Sequence, residues 1–581
     1  VNSPAVLSVS YLIALQNHFL WGFLMNTSRS AIHNIAHLLP ELAQRLPDKR
    51  AVLYPVGREQ GRAVYTHYTF GQLDARCDRL AWGLRGVGIK PGMRVLLMVK
   101  PSLDLFALVF ALFKLGAVPV MIDPGMGWKG FMRCVGQVEP EGFIGIPAAH
   151  VLRQFFRSRF QSVKIHVTWG RRLGWGGWSL EELPEGTGAF PVEPCQPEDP
   201  AAILFTSGST GPAKGVVYPH RIFNAQVEIL RREYGISDAD IDLPCFPLFA
   251  LFSVALGATV VIPDMNPSFP AKVDPRRIVE AIVDQGVTYS FGSPALWNRV
   301  TQYAEQHQLR FPTLRRVLIA GAPVPVYLHE RLLGGLLLAD AKVYTPYGAT
   351  ECLPVANMTG NEVLAETAAL TQAGRGICVG RPLPEVEVRI IRIVDEAVPE
   401  WTPDLEVAAG GIGEICVRGA VVTQEYFRLP EANAKSKIRD GATTWHRIGD
   451  VGYLDSRGRL WFCGRKSHRV DTDDGRLFSV CAEAIANAHP AVFRSALVGV
   501  GPTRGRQEPV MLVELRPEVK DSAMLTAEVL GLLVADPMTR PIRRVMIHPG
   551  FPVDVRHNAK INREQLAIWA SRRLGTVSVF G

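Results

Sequence analysis

The chain has 581 residues, 47% of them apolar and 20% charged, with a formal net charge of +8. That length allows two or more domains around a large core, and the balance is that of an ordinary globular protein. No run of five consecutive basic residues occurs, so the surplus reads as a solvated surface and no nucleic-acid partner is expected. The nine cysteines are scattered, odd in number and without a C-x-x-C. This argues against a disulfide framework or zinc knuckle and for a reducing, cytoplasmic compartment.

The first 24 residues are apolar but interrupted by Ser, Gln, Asn and His. They lack a basic leader and a small-residue cleavage site, and the interruptions argue against a membrane span. They read as an extension outside the fold, with a membrane-surface or partner helix as the alternative. A helical pattern starts in "SAIHNIAHLLPELAQRLPDKRAV". The apolar run from Leu103 contains Asp104 and Lys114; Gly116 stops a helix, and "AVPVMI" then reads as a buried strand. This is a core helix–strand unit, not a membrane span.

From about residue 25 to 465, short β-branched runs alternate with helical patterns: "RVLLMV", "VPVMI", "GFIGI", "AAILFT", "ATVVIP", "TYSFGS" and "RRVLIAG". That is α/β logic with much parallel sheet, which puts ligands at the carboxyl ends of strands. "WGRRLGWGGWS", Trp169 to Ser179, reads as a loop whose tryptophans form a local apolar cluster. From Gly411 the pattern turns strand-rich, with a hairpin turn at "DSRGR". After Lys466 a last segment has helices and strands of its own, giving a small C-terminal α/β domain hinged near Arg465 to His468.

Five stretches carry chemistry. "FTSGSTGPAKG", Phe205 to Gly215, follows a strand and combines glycines, hydroxyls and one lysine. It fails the Walker A spacing, because Ala213 precedes Lys214 and Gly215 follows it, yet its backbone N–H groups, hydroxyls and ammonium suit an anion. "YTPYGATE", Tyr344 to Glu351, offers a ring to stack on a base and a carboxylate for Mg²⁺. In "HRIGDVGYLD", Asp450 can accept from both ribose hydroxyls. In "FCGRKSHRVDTDDGRLFS", Arg465 can reach ribose or phosphate. In "FPVDVRHNAKINREQL", Lys560 sits in a polar stretch before a helix.

In this order, the five stretches resemble the adenylate-forming superfamily of acyl-CoA synthetases, peptide-synthetase adenylation domains and luciferases. The resemblance covers nearly all of the chain after Met25. It implies an α/β fold: a large domain of mixed and parallel sheets sandwiched by helices, residues 25–466, and a small mobile C-terminal domain, residues 467–581. It implies ATP and Mg²⁺ as cofactors. The loop of Thr206, Ser207, Gly208, Ser209, Thr210, Gly211 and Lys214 would cover the phosphates. Gly321, Ala322, Pro323, Tyr347 and Gly348 would line the adenine pocket. Thr350 would touch phosphate, Glu351 would hold the metal, and Asp450 and Arg465 would hold ribose. Lys560 would bridge the α-phosphate and the carboxylate, two anions that a cation brings together. Thr206, Glu351 and Lys560 are therefore the expected catalytic set.

"LPCFPLFALFSVALGATVVIPD", Leu243 to Asp264, contains no His where many members of the superfamily carry a His or a gating aromatic. Phe246, Phe249, Leu251 and Phe252, with Phe291, Gly292 and Ser293, suggest an apolar tunnel for a long-chain acid. Ser467 falls at the hinge position, and "DTDDG" brings acids that suit the phosphates of CoA poorly. "CFPLFALFSVALG", "YTPYGATECLPV" and "DVRHNAKINRE" resemble the β-lactone synthetase branch of bacterial olefin biosynthesis. That branch implies a long-chain 2-alkyl-3-hydroxy acid, adenylated and then closed by its own hydroxyl, and assembly with a β-lactone decarboxylase and a reductase. A long-chain acyl-CoA synthetase is the alternative. His220 and His468 are candidates by type to take the hydroxyl proton, with a structural role expected for each.

Overall fold

The computed structural model describes residues 33–206, 211–501, 505–520, 523–553 and 561–576. Ser207, Gly208, Ser209, Thr210, Lys560 and the N-terminal extension lie outside the described residues.

Two seven-stranded sheets and one eight-stranded sheet make up the chain as far as Arg465, and each grows from the buried runs of the sequence. In the first sheet, Arg94–Met98, Val118–Met121, Gly142–Gly145 and Ile165–Thr168 pair in parallel, and Pro200–Phe205 joins beside Val118–Met121. Gly215–Pro219 closes that edge as an antiparallel hairpin partner of Pro200–Phe205. In the second sheet, Ile241–Asp242, Tyr289–Gly292, Arg316–Ile319 and Lys342–Tyr344 run parallel as neighbours. The third sheet is antiparallel and includes Cys352–Asn357, Gly413–Gly419, Thr443–Leu454 and Leu460–Arg465. Strands covered on both faces need continuous apolar runs, and these are the runs that mark the first two sheets in the sequence.

The helix Leu103–Lys114 lies in the largest core cluster, with every residue from Leu105 to Lys114 buried. Ser102 caps its N-terminus by accepting from the Leu105 N–H, and Gly116 at φ +65° turns the chain out of it. Lys114 is 1% exposed, and its ammonium meets Asp74 at 2.6 Å and Asp78 beside it. The charge that interrupts this apolar run is thus neutralised inside the core. Among the described residues no helix is long and apolar enough to cross a membrane.

The helical pattern that starts before Ile35 ends at Arg45, and Arg50–Glu59 is already a strand. The tryptophans do not gather into one cluster: Trp169 packs against the main core and donates to Asp104, while Trp175 stacks on His150 at 5.2 Å. Trp178 stays exposed. All nine cysteines are free, and only Cys195 is not fully buried.

Beyond Arg465 the chain builds a hairpin, Val470–Thr472 with Gly475–Leu477, and a three-stranded sheet, Val492–Val500, Glu508–Leu515 and Arg544–Ile547. Helices Ser479–Asn487, Ala523–Ala535 and Arg563–Leu574 pack on this sheet around two cores of their own. A smaller cluster of Val451, Cys463 and Cys481, with Tyr453, Phe478 and Met538 against it, joins this part to the antiparallel sheet.

Candidate active site

The site grows from the carboxyl ends of four neighbouring parallel strands. Leu243 to Phe249 follows Ile241–Asp242, Ser293 follows Tyr289–Gly292, Ala320 to Pro323 follows Arg316–Ile319, and Thr345 to Glu351 follows Lys342–Tyr344. Register holds these ends level: Phe291 pairs with Leu318 and Gly292 with Ile319, while the Cys245 N–H donates to the Phe291 carbonyl at 2.8 Å. Stretches that lie far apart in sequence thus share one rim, where α/β sheets bind ligands.

One part of the rim is polar and fixed. The Tyr347 hydroxyl donates to Asp450 Oδ2 at 2.6 Å, and Arg465 Nη1 stands 2.9 Å from Asp450 Oδ1. Asp450 and Arg465 face each other across paired strands. Burial lifts the Asp450 carboxyl above the ordinary range, while Arg465 and then Tyr347 pull it down. Burial and the neighbouring carboxylate hold the Tyr347 phenol well above its usual value, so it stays a donor. Asp450 Oδ1 accepts no hydrogen bond despite its burial. A buried acceptor left over beside a cation suits a sugar hydroxyl. Gly321 is exposed on the same rim, with Ala322 half-buried. Gly348 has no room for a side chain, since a Cβ would stand 2.5 Å from the Cys352 carbonyl oxygen.

A second part gathers charge. Thr206 and Lys214 close the base of the loop between them: Thr206 N–H donates to the Lys214 carbonyl, and Lys214 N–H to Thr206 Oγ1, both at 3.1 Å. Gly211, inside the loop, has φ +145° and open space around it. The Lys214 ammonium lies 4.6 Å from the centre of the Tyr426 ring. Tyr426 donates its hydroxyl to Glu351 Oε1 at 2.6 Å. The Glu351 carbonyl takes the Thr423 N–H at 2.9 Å and the Thr423 hydroxyl at 3.0 Å. Tyr218 donates to the Thr350 carbonyl. Beneath them lies Lys437, buried, its ammonium donating to the Thr423 carbonyl. Burial brings Lys437 down to about 8, against the upward pull of Glu351. Burial also lowers Lys214, with Glu351 opposing. Among the described residues no three His, Cys, Asp or Glu side chains converge to hold a metal ion. Glu351 is the carboxylate of this group that could take a divalent ion whose other ligands are phosphate oxygens and water.

A third part is aromatic. Phe249 stacks on Phe291 at 4.2 Å, with Phe246 at 5.5 Å and Phe252 at 6.1 Å from Phe249. Leu251, Phe252 and Phe291 are half-buried against the main core. Gly292 is buried, and Ser293 turns to cap the helix Pro294–Gln306 by accepting from Leu296. Behind this wall Asp242 accepts from Ser253 Oγ at 2.5 Å, and Tyr289 donates to the same oxygen at 2.7 Å. Burial pushes the Asp242 carboxyl up to about 8, so it is protonated at neutral pH.

An AMP-binding enzyme family model matches residues 39–427. The chain belongs to the AMP-binding enzyme family. It is 47% identical to an olefin beta-lactone synthetase of Xanthomonas campestris pv. campestris, over 94% of this chain and 99% of that one. It is 48% identical to an olefin beta-lactone synthetase of Stenotrophomonas maltophilia, over 93% of this chain and 98% of that one. In fold it is similar to an amide bond synthetase from Marinactinospora thermotolerans, with a TM-score of 0.74 at 23% identity over 92% of this chain and 99% of the other.

The rest of the family's pattern lies around the turn Lys466–His468, which contains Ser467. Lys466 reaches back to Glu414 at 3.0 Å and to the Val394 carbonyl at 3.0 Å. Glu414 already pairs with Arg447 at 2.7 Å, and both side chains are 1% exposed. The acids of "DTDDG" are not all available to repel an anion. Asp471 is held by Arg469 at 2.9 Å and by Arg476 at 2.7 Å, its partner across the hairpin. Asp473 stands 3.9 Å from Arg506, so the argument from these acids against the phosphates of CoA is weaker than the sequence suggests. His220 is buried and accepts the Ile35 N–H through Nδ1 at 3.2 Å, which is a packing role. His468 stands in the hinge turn. The two residues after Lys560 are anchored: Ile561 bridges to Val553, and Asn562 caps the helix Arg563–Leu574. Tyr426, Thr423 and Lys437 were not among the residues expected from the sequence. They lie outside all five stretches and announce themselves only through their contacts.

Proposed function

We propose that the protein adenylates a long-chain 2-alkyl-3-hydroxy acid and closes it to a β-lactone, releasing pyrophosphate and AMP. The observation that carries this reading is the rim itself. The Asp450–Arg465 pair, joined through Tyr347, and the Thr206–Lys214 loop, joined to Glu351 through Tyr426, stand around four adjacent strand ends that also carry the aromatic wall. The near-full-length likeness to two olefin beta-lactone synthetases supports the second half of the reaction.

Asp450 and Arg465 would hold the ribose of ATP, with Tyr347, Gly348 and the 321–323 turn around the adenine. The residues present fit Mg²⁺, which Glu351 and Thr350 would hold and meet together with the phosphates. When bound, the ion offsets charge on the phosphates. The loop from Thr206 to Lys214 would cover the β- and γ-phosphates. A substrate carboxylate oxygen bonds to the α-phosphorus as the bond to the pyrophosphate oxygen breaks, with Lys560 between the two anions. The substrate's 3-hydroxyl oxygen then bonds to the acyl carbon and gives up its proton to solvent, the acyl–phosphate oxygen bond breaks, and AMP leaves. The aromatic wall of Phe246, Phe249, Leu251, Phe252 and Phe291 would hold the chain and keep water from the carbonyl. We take residues 25–466 as the body of this site and 467–581 as the part that turns to deliver Lys560. The β-lactone calls for a following enzyme that removes CO₂, and the 3-hydroxy acid for a preceding reductase.

The test is mass spectrometry of the product from ATP, Mg²⁺ and a synthetic 3-hydroxy acid without CoA. The expected product is the acid less one water. Release of AMP only after CoA is added would instead make the protein an acyl-CoA synthetase. Lys560→Ala is expected to slow pyrophosphate release by roughly 10²–10³-fold while ATP binding persists.

A further inference from the structure

Lys437 is an unusual side chain to bury. It is 9% exposed, and among the described residues it makes no ion pair; its ammonium donates to one backbone carbonyl, that of Thr423. A buried cation without a carboxylate partner costs several kcal/mol by order of magnitude, and methionine would fill the same volume without that cost. The charge therefore does something that packing alone does not require.

Its surroundings show what. Thr423, which Lys437 holds, donates twice to the Glu351 carbonyl. The Lys437 ammonium also lies 5.8 Å from the ring of Tyr426, whose hydroxyl holds Glu351 Oε1. Lys214 approaches the same ring at 4.6 Å. Two cations beside a phenol polarise its O–H towards the acceptor, so the bond to Glu351 strengthens. Tyr426 is itself locked in place. Its N–H donates to Asn433 Oδ1 at 2.7 Å, its carbonyl accepts from Asn433 Nδ2 at 3.2 Å, and its backbone bridges to Val216, just past the phosphate loop. The Glu351 main chain and carboxylate are thus both set by the segment from Thr423 to Tyr426, and Lys437 acts on both ends of it.

We propose that Tyr426 and Lys437 are positioning residues that act as one unit to aim the Glu351 carboxylate at a divalent cation carried by the nucleotide. This rests on the reading of Glu351 as the metal-holding carboxylate. Partners behind a metal ligand typically change metal affinity by about 10–100-fold when removed.

The test is electron paramagnetic resonance of Mn²⁺ binding to the full chain with ATP present, for wild type, Tyr426→Phe, Lys437→Met, the double variant and Glu351→Gln. Thermal unfolding of each variant checks the fold. Each single change is expected to weaken Mn²⁺ binding by about tenfold. The double variant is expected to weaken it by clearly less than the product of the two, because both act through one carboxylate. Tyr426→Phe added to Glu351→Gln is expected to change nothing further, and this arm decides the matter if Lys437→Met does not fold. Single changes that leave Mn²⁺ binding within twofold, or that multiply in full, would overturn the proposal while leaving the metal reading intact. Unchanged binding in Glu351→Gln would instead overturn the metal reading, and the positioning role with it.

Discussion

The nucleotide side and the acyl side of the rim are built by opposite means. Tyr347, Asp450 and Arg465 meet through short directional contacts between buried polar groups. Phe246, Phe249, Phe252 and Phe291 meet only as rings, with centroids 4.2–6.1 Å apart. The first construction fixes one ligand in one pose, because an unmatched buried polar group is expensive. The second offers area and shape but little direction, so chains that differ by a few methylenes are separated only weakly. On the proposed reading, one construction would hold the nucleotide and the other the acyl chain.

That contrast can be broken most severely at Asp450. Asp450→Ala leaves Arg465, whose side chain is 34% exposed, without its partner, so the loss is expected to fall below the about 3–5 kcal/mol of a fully buried pair. Chemical denaturation is expected to report that loss, together with abolished ATP binding in calorimetry. On the acyl side, Phe249→Ala is expected to be milder and selective. It should raise the KM for the longest acids by about 10-fold, within the range for lost apolar contact, and leave the Kd for ATP within twofold. A comparable loss of ATP affinity would show that the two sides are not independent.

A pH-dependent effect, on stability and not on binding, concerns the support behind the rings. Asp242 is protonated in the native state up to about pH 8, whereas an unfolded aspartate ionises near pH 4. The folded protein therefore binds one proton more across that window, and stability falls as pH rises, by about 1.4 kcal/mol per unit from this group alone. Its contribution is whole below about pH 4 and lost once pH passes about 8. Asp242→Asn should flatten the slope of unfolding free energy against pH between 5 and 8, with turnover unchanged.

Much of this was legible in the sequence where the signal is local. "RVLLMV" or "TYSFGS" marks a strand because a strand covered on both faces needs an unbroken apolar run. Glu351, Asp450 and Arg465 stand in short stretches whose residue types already single them out, and the structure ties Asp450 to Arg465 and Tyr347. The phenylalanines of Leu243 to Asp264 were legible as a group, although the stacking of Phe249 on Phe291 depends on strand pairing. What stayed hidden depends on distant partners. Lys437 sits in "NAKSKIRD", a polar run that reads as surface, and only the folded chain buries it under Thr423. Asp471 looked like a free acid because its two arginines are recruited by the hairpin register and the hinge turn, neither of which a run of "DTDDG" discloses.

The three-way contact of Lys466, Glu414 and Arg447 has a consequence for the hinge. If the small domain turns at Lys466–His468, Lys466 must release Glu414. Glu414 keeps Arg447 when it does, and Arg447 keeps its bond to the Glu396 carbonyl at 2.7 Å. No buried charge is stranded at either end of the swing. Such a turn would open a latch with a built-in spare, because both deeply buried partners, Glu414 and Arg447, would stay satisfied.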